Sequence, residues 1–197
     1  MQKGKYTLLV RKEILFLLIL LFCSSKSNSQ EKDSLIIWNK DYKLSWNDFL
    51  GKTLKSKSSN NVAAISSLGI INVISYRANQ IYSYTIIPVF YRFNSSTINY
   101  SSKLLEHEQI HFDIQEIFAR KIRGKFEELK MNKANYQTHY YIFNSYLDSL
   151  NIYQEQYDLD TEFSLIQKKQ DFWKKIVAKK LNELDAYSAE KLYRIKK

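Results

Sequence analysis

The chain has 197 residues, 45% of them hydrophobic, and a formal net charge of +10, which fits one domain with a real core. Four glycines and one proline exclude collagen-like and loop-dominated architectures, and a single cysteine excludes a disulfide framework.

Residues 1–29 read as a secretory signal peptide. Lys3, Lys5, Arg11 and Lys12 form a basic start, and residues 14–22 ("ILFLLILLF") an apolar run too short to span a bilayer as a helix. Ser27 and Ser29 supply the small residues of a cleavage site before Gln30. The competing reading makes Cys23 a lipidated first residue, although "LLF" before it lacks the usual small side chain. Either way the chain is expected outside the cytoplasm, in the periplasm or the medium, and membrane contact is expected only if Cys23 is lipidated. Cleavage removes five basic residues and one acidic one, so 30 − 5 = 25 basic and 20 − 1 = 19 acidic remain, a mature charge of +6. The basic residues are spread out rather than gathered with aromatics, and nucleic acid is not an expected partner. With Cys23 removed, no thiolate is left as nucleophile or metal ligand.

Residues 30–197 are expected to form one α+β domain, strands first and helices after. Residues 31–50 suggest a short strand and turn anchored by Trp38, Leu44, Trp46 and Phe49, and residues 52–61 a polar loop. Two β-branched and aromatic runs, 62–76 and 81–93, flank "RANQ" and predict a hairpin. Pro88 in the second run predicts an edge strand, because proline cannot donate to a ladder. An edge there could bind an extended peptide by strand addition. The pattern then shifts to a period of 3.6, predicting long helices over 101–130, 134–156 and 158–184.

The first helix carries "HEQIH", with two of the chain's three histidines. At 100° per residue, His107 and His111 lie 40° apart on the apolar face with Leu104, Ile114, Phe118 and Ile122. Glu108 sits on the shoulder of that face, while Gln109, Asp113 and Glu116 are expected to face water. Two imidazoles at i and i+4 can ligate one Zn²⁺, and the glutamate between them can take a proton from a water on the metal. The alternative is a pair of core histidines beside an exposed glutamate.

On "LSWNDFLG" (44–51), "AAISS" (63–67), "LLEHEQIHFDIQEIFARKIR" (104–123) and "YDLDT" (157–161), the chain resembles the bacterial secreted proteins grouped as domain of unknown function 922. These are described as zinc-dependent proteases. The resemblance implies a zincin-like fold, with the active helix beneath a small sheet. It also implies a later motif Tyr-Asp-x-x-Thr-x-His. Tyr157, Asp158 and Thr161 match that motif, but Phe163 stands at the histidine position.

A catalytic zinc site needs a third protein ligand. Asp158, favoured by the resemblance, and Asp160 are the leading candidates, with Glu155, Glu162 and His139 behind them. Asp158 at the start of the third helix would also serve as an N-terminal cap. Tyr157 could donate to an oxyanion or simply pack, and Asp113 and Glu116 could orient an imidazole. The expected function is an exported zinc-dependent hydrolase acting on peptides or proteins, with Glu108 as general base. The alternative is a degenerate metal-binding envelope protein without turnover, which Phe163 favours.

Overall fold

The computed structural model describes residues 34–52 and 63–193, so the signal segment and most of the 52–61 loop lie outside the described residues. Among them no helix is long and apolar enough to cross a membrane. The architecture is α+β, as expected, with a small antiparallel sheet followed by helices. Strands β1 (Leu35–Ile37), β4 (Gln80–Tyr91) and β3 (Leu68–Arg77) form one sheet in the order β1-β4-β3. β2 (Ala64–Ile65) pairs with β5 (Ser96–Thr97). Three long helices follow: α1 (Ser102–Met131), α2 (Tyr136–Thr161) and α3 (Gln167–Glu183), with the short α4 (Ala189–Leu192) at the end.

The predicted hairpin is β3–β4. Ala78 and Asn79 turn the chain with φ of 49° and 60°, the positive pair that matches strand twist in a two-residue loop. β4, however, is the central strand rather than an edge. Pro88 is accommodated because β1 is short: Trp38 N–H donates to Pro88 O at 3.1 Å, just past the last β1 residue, Ile37. The side of β4 on which a proline N–H would be missed is therefore where its neighbouring strand has ended. Beyond that point protein side chains take over the pairing: Ile86 N–H donates to Tyr193 Oη at 2.8 Å, and Arg123 donates to Ile86 O at 2.7 and 2.9 Å. Among the described residues, the edge strands of this sheet are the short β1 and the longer β3.

α1 begins at Ser101, whose hydroxyl accepts from Leu104 N–H at 3.2 Å. It is buried on most of its circumference, not on one stripe. Ile110, Ile114, Ile117 and Phe118 pack with Leu150 and Tyr157 of α2 and Trp173 and Val177 of α3. Ala119, Ile122 and Phe126 pack on Ile81, Tyr84 and Ile86 of β4. Phe112 meets Leu44, Phe49 and Phe90.

The expected water-facing positions are consequently covered. Gln109 accepts from Leu44 N–H and donates to Asp113, each at 2.8 Å, while Asp113 accepts from the Trp38 indole at 2.8 Å. Segment 38–49 lies against that side, closed by its own Ser45–Asp48 capping box. Gly51 is needed there, because a Cβ would stand 2.7 Å from Ser95 O.

Glu116 is 1% exposed and Arg123 fully buried. Arg123 donates to both Glu116 oxygens at 3.0 and 3.2 Å, twice to Ile86 O, and to Tyr187 O at 3.1 Å. All of its N–H donors are thus used. Arg120 adds a 2.7 Å bond to Glu116 and one of 2.6 Å to Leu181 O. Removing one partner strands a buried charge, so Arg123→Ala is expected to lower unfolding free energy by about 3–5 kcal/mol, read from urea denaturation. A loss within about 0.5 kcal/mol, the range of ordinary surface substitutions, would contradict this account.

Candidate metal centre

Two i, i+4 pairs face each other across α1 and α2. His107 and His111 project from the second and third turns of α1, while Gln154 and Asp158 project from the C-terminal turns of α2. Asp158 Oδ1 lies 2.9 Å from His107 Nε2 and 2.8 Å from His111 Nε2, and the two Nε2 atoms are 3.1 Å apart. Asp158 is the third residue of the cluster, and these three residues could hold a metal ion. Asp158 therefore does not open the third helix. α2 runs on to Thr161, and α3 begins only at Gln167.

The other expected ligands are elsewhere. Asp160 accepts from Gln156 Nε2 at 2.7 Å and from the Trp173 indole at 3.0 Å, which ties α2 to α3. Glu155 and Glu162 are exposed. His139 is buried near the start of α2, its Nδ1–H donating to Asn135 O at 2.7 Å and its ring edge-on to Phe126. Phe163 is 64% exposed, in the turn after α2.

The donor set fits a divalent cation. Gln154 donates from Nε2 to His111 O at 3.0 Å, so its Oε1 must be the atom 2.5 Å from His111 Nδ1. An amide oxygen only accepts, so Nδ1 carries the proton, and the neutral ring has a bare lone pair on Nε2. That lone pair points at a carboxylate oxygen 2.8 Å away, a contact between two acceptors unless a proton or a cation joins them. A tetrahedral zinc with arms of about 2.0–2.1 Å would hold its ligand atoms about 3.3 Å apart, close to the triangle found here. Burial works against a charged His111, but the bond to Asp158 and the charges of Asp158 and Glu108 outweigh it, and its pKa lies above the ordinary histidine value. Burial would likewise raise Asp158, yet bonds from both imidazoles hold its pKa well below the usual carboxylate range.

Tyr157 is the wall of the site. Its ring stacks on His107 at 4.5 Å and 23° and meets His111 edge-on at 4.8 Å. It is fully buried, and burial, reinforced by the charges of Glu108 and Asp158, pushes its pKa far up, so the phenol stays protonated. Its hydroxyl and His107 Nδ1 are buried without a hydrogen-bond partner among the described residues. Glu108 is 5% exposed, and its charge reaches both His111 and Tyr157.

Gln154 is the residue that reading the sequence missed. It stands four before Asp158 as His107 stands four before His111, a spacing visible in "QEQYD" once α2 is known to continue past 156.

The turn after α2 secures the ligand's backbone. Phe163 N–H donates to Asp158 O at 2.9 Å and Glu162 N–H to Leu159 O at 3.2 Å, a Schellman closure with glutamate in the left-handed position at φ 46°. Thr161 Oγ1 donates to Tyr157 O at 2.7 Å.

No family model matches the chain, and neither a curated protein nor a solved structure matches it.

A left-handed non-glycine residue costs about 1–2 kcal/mol, partly offset by its smaller loss of chain entropy. Glu162→Gly is therefore expected to raise stability by roughly 0.5–1 kcal/mol in thermal or urea unfolding. Destabilisation instead would show that the Glu162 side chain holds the turn.

Proposed function

We propose that the chain is an exported zinc-dependent hydrolase, acting on peptide bonds. The observation that carries this reading is the convergence of His107 Nε2, His111 Nε2 and Asp158 Oδ1 beside a buried, unligated Glu108. Two imidazoles and one carboxylate suit zinc, whereas calcium and magnesium favour oxygen-rich shells. Three protein ligands also leave a coordination position open, as a catalytic rather than structural site requires. The resemblance to the domain of unknown function 922 proteins is part of this proposal and points the same way.

Bound zinc would supply Lewis acidity and a water with its pKa lowered to about 7. The rest falls to the chain. His107, His111 and Asp158 hold the ion between α1 and α2, and Tyr157 closes the site from behind and keeps bulk water from His107. Glu108, on the shoulder of α1, takes the proton of the attacking water at its carboxylate and delivers it to the leaving amine. For an extended substrate the strand to pair with is β3, the longer of the two edge strands, while β4 lies between β1 and β3.

The purified mature chain is expected to carry about one zinc, lost in His111→Ala, by elemental analysis. Glu108→Gln should keep that zinc and lose about 10²–10⁴-fold in turnover on a peptide library, the size of a general-base contribution. Zinc present with equal turnover in Glu108→Gln would remove the general-base assignment. Absence of zinc under zinc-replete conditions would overturn the hydrolase reading itself.

A further inference from the structure

The metal reading accounts for three side chains of the two i, i+4 pairs and leaves the fourth, Gln154, with no assigned role. Its amide is held at both ends. Oε1 accepts from His111 Nδ1–H at 2.5 Å, while Nε2 donates to His111 O at 3.0 Å and faces Gln115 Oε1 at 3.5 Å. Turning the amide over would set its oxygen against two oxygens and its NH₂ against an N–H, so only one orientation satisfies all three contacts. A single side chain thus grips both the backbone and the ring of His111.

We propose that Gln154 is a positioning residue that locks His111 in the Nδ1–H tautomer and aims its Nε2 lone pair at the point shared with His107 and Asp158. The inference rests on the metal-centre reading for its consequence, but not for the tautomer itself. His107 has no comparable hold at Nδ1, which is buried without a hydrogen-bond partner among the described residues, and its ring stacks on Tyr157. Gln154 is therefore the side chain that holds an imidazole at Nδ1, while Asp158 meets both rings at Nε2. An amide at this position also restrains the ring without adding negative charge, so Asp158 remains the one carboxylate among the three ligands. A bound divalent ion then keeps a net positive charge with which to polarise water and substrate.

The test compares Gln154→Leu, close in volume but without polar atoms, with Gln154→Glu, which keeps an acceptor for Nδ1–H. Zinc affinity is read by competition with a chromophoric chelator, and the visible spectrum of the Co²⁺-loaded chain reports ligand geometry. Gln154→Leu is expected to bind zinc about 10- to 100-fold more weakly with an altered Co²⁺ spectrum, while Gln154→Glu stays close to the parent. Unchanged affinity in Gln154→Leu, or an equal loss in both variants with a matching fall in urea midpoint, overturns the proposal in favour of simple packing. Long-range ¹H–¹⁵N spectra of the metal-free chain at mildly alkaline pH separate this from the functional reading. His111 should be protonated on Nδ1 in the parent and show mixed tautomers in Gln154→Leu. If the parent bound no zinc, the hydrolase reading would fail, yet these spectra would still decide whether Gln154 fixes the ring. A parent His111 protonated on Nε2 would overturn the inference whatever the zinc result.

Discussion

A thirty-residue helix sunk into the middle of a small domain must find partners for the charged groups it buries. In α1 that constraint is met at greatest depth by Glu116 and Arg123. The guanidinium lies against the carboxylate, Ile86 O of the sheet and Tyr187 O near the end of the chain, while Arg120 links the same carboxylate to Leu181 O of α3. A hydrophobic contact tolerates a helix rotating by several degrees, but this lattice does not, because each donor has one acceptor in one direction. The rotation of α1 is thereby set from its middle. His107, His111 and Glu108, one to three turns toward the N-terminus, inherit their directions from it.

That orientation becomes useful because α2 returns antiparallel with polar side chains at the same four-residue spacing. Gln154 meets His111, and Asp158 meets both histidines. Neighbours at i and i+4 lie about 6 Å apart along a helix axis, so two such pairs on facing helices form a compact square. Tyr157 lies between Gln154 and Asp158 in sequence but turns inward, where it covers the imidazoles and reaches Trp173 at 5.3 Å. Asp160 then ties the same turn of α2 to the indole of that tryptophan. α3 therefore steadies the acidic side of the centre without contributing a ligand.

Reading the sequence recovered the order of elements, the hairpin and the histidine-bearing helix, because each rests on a local period or on turn chemistry. It also named Asp158, through its family resemblance. It failed where tertiary context reversed a local rule. The helical wheel sent Gln109, Asp113 and Glu116 to water, since hydropathy counts a paired carboxylate and a solvated one alike. Nothing local announces that Arg123, seven residues along, or Trp38, far upstream, will satisfy them. Pro88 predicted an edge strand, yet β4 is central; the proline is accommodated because the short β1 ends at Ile37, beside it. The boundary between α2 and α3 was placed too early because no glycine punctuates it. Glu162, Phe163 and Ser164 make that turn instead, with φ of 46°, 52° and 76°. Gln154 escaped notice for the same reason: it becomes a site residue only once α2 is known to run through Asp158.

The departures from local preference are concentrated along residues 157–164. A carboxylate sits in the last turn of α2, where the helix dipole disfavours negative charge. Three successive non-glycine residues adopt the left-handed region directly after it. Tyr157 Oη and His107 Nδ1 lie close by, both enclosed and without a hydrogen-bond partner among the described residues. Each of these is unfavourable by itself, and together they lie on, or against, the segment that presents Asp158 to the histidines. Stability alone would favour a glycine at 162 and a neutral residue at 158. What offsets the charge in the last turn is the contact between Asp158 and two imidazoles, which holds the carboxylate charged despite its burial. Such a concentration of costs is what a segment whose geometry serves a site would show. In this chain that place is the meeting point of His107, His111 and Asp158.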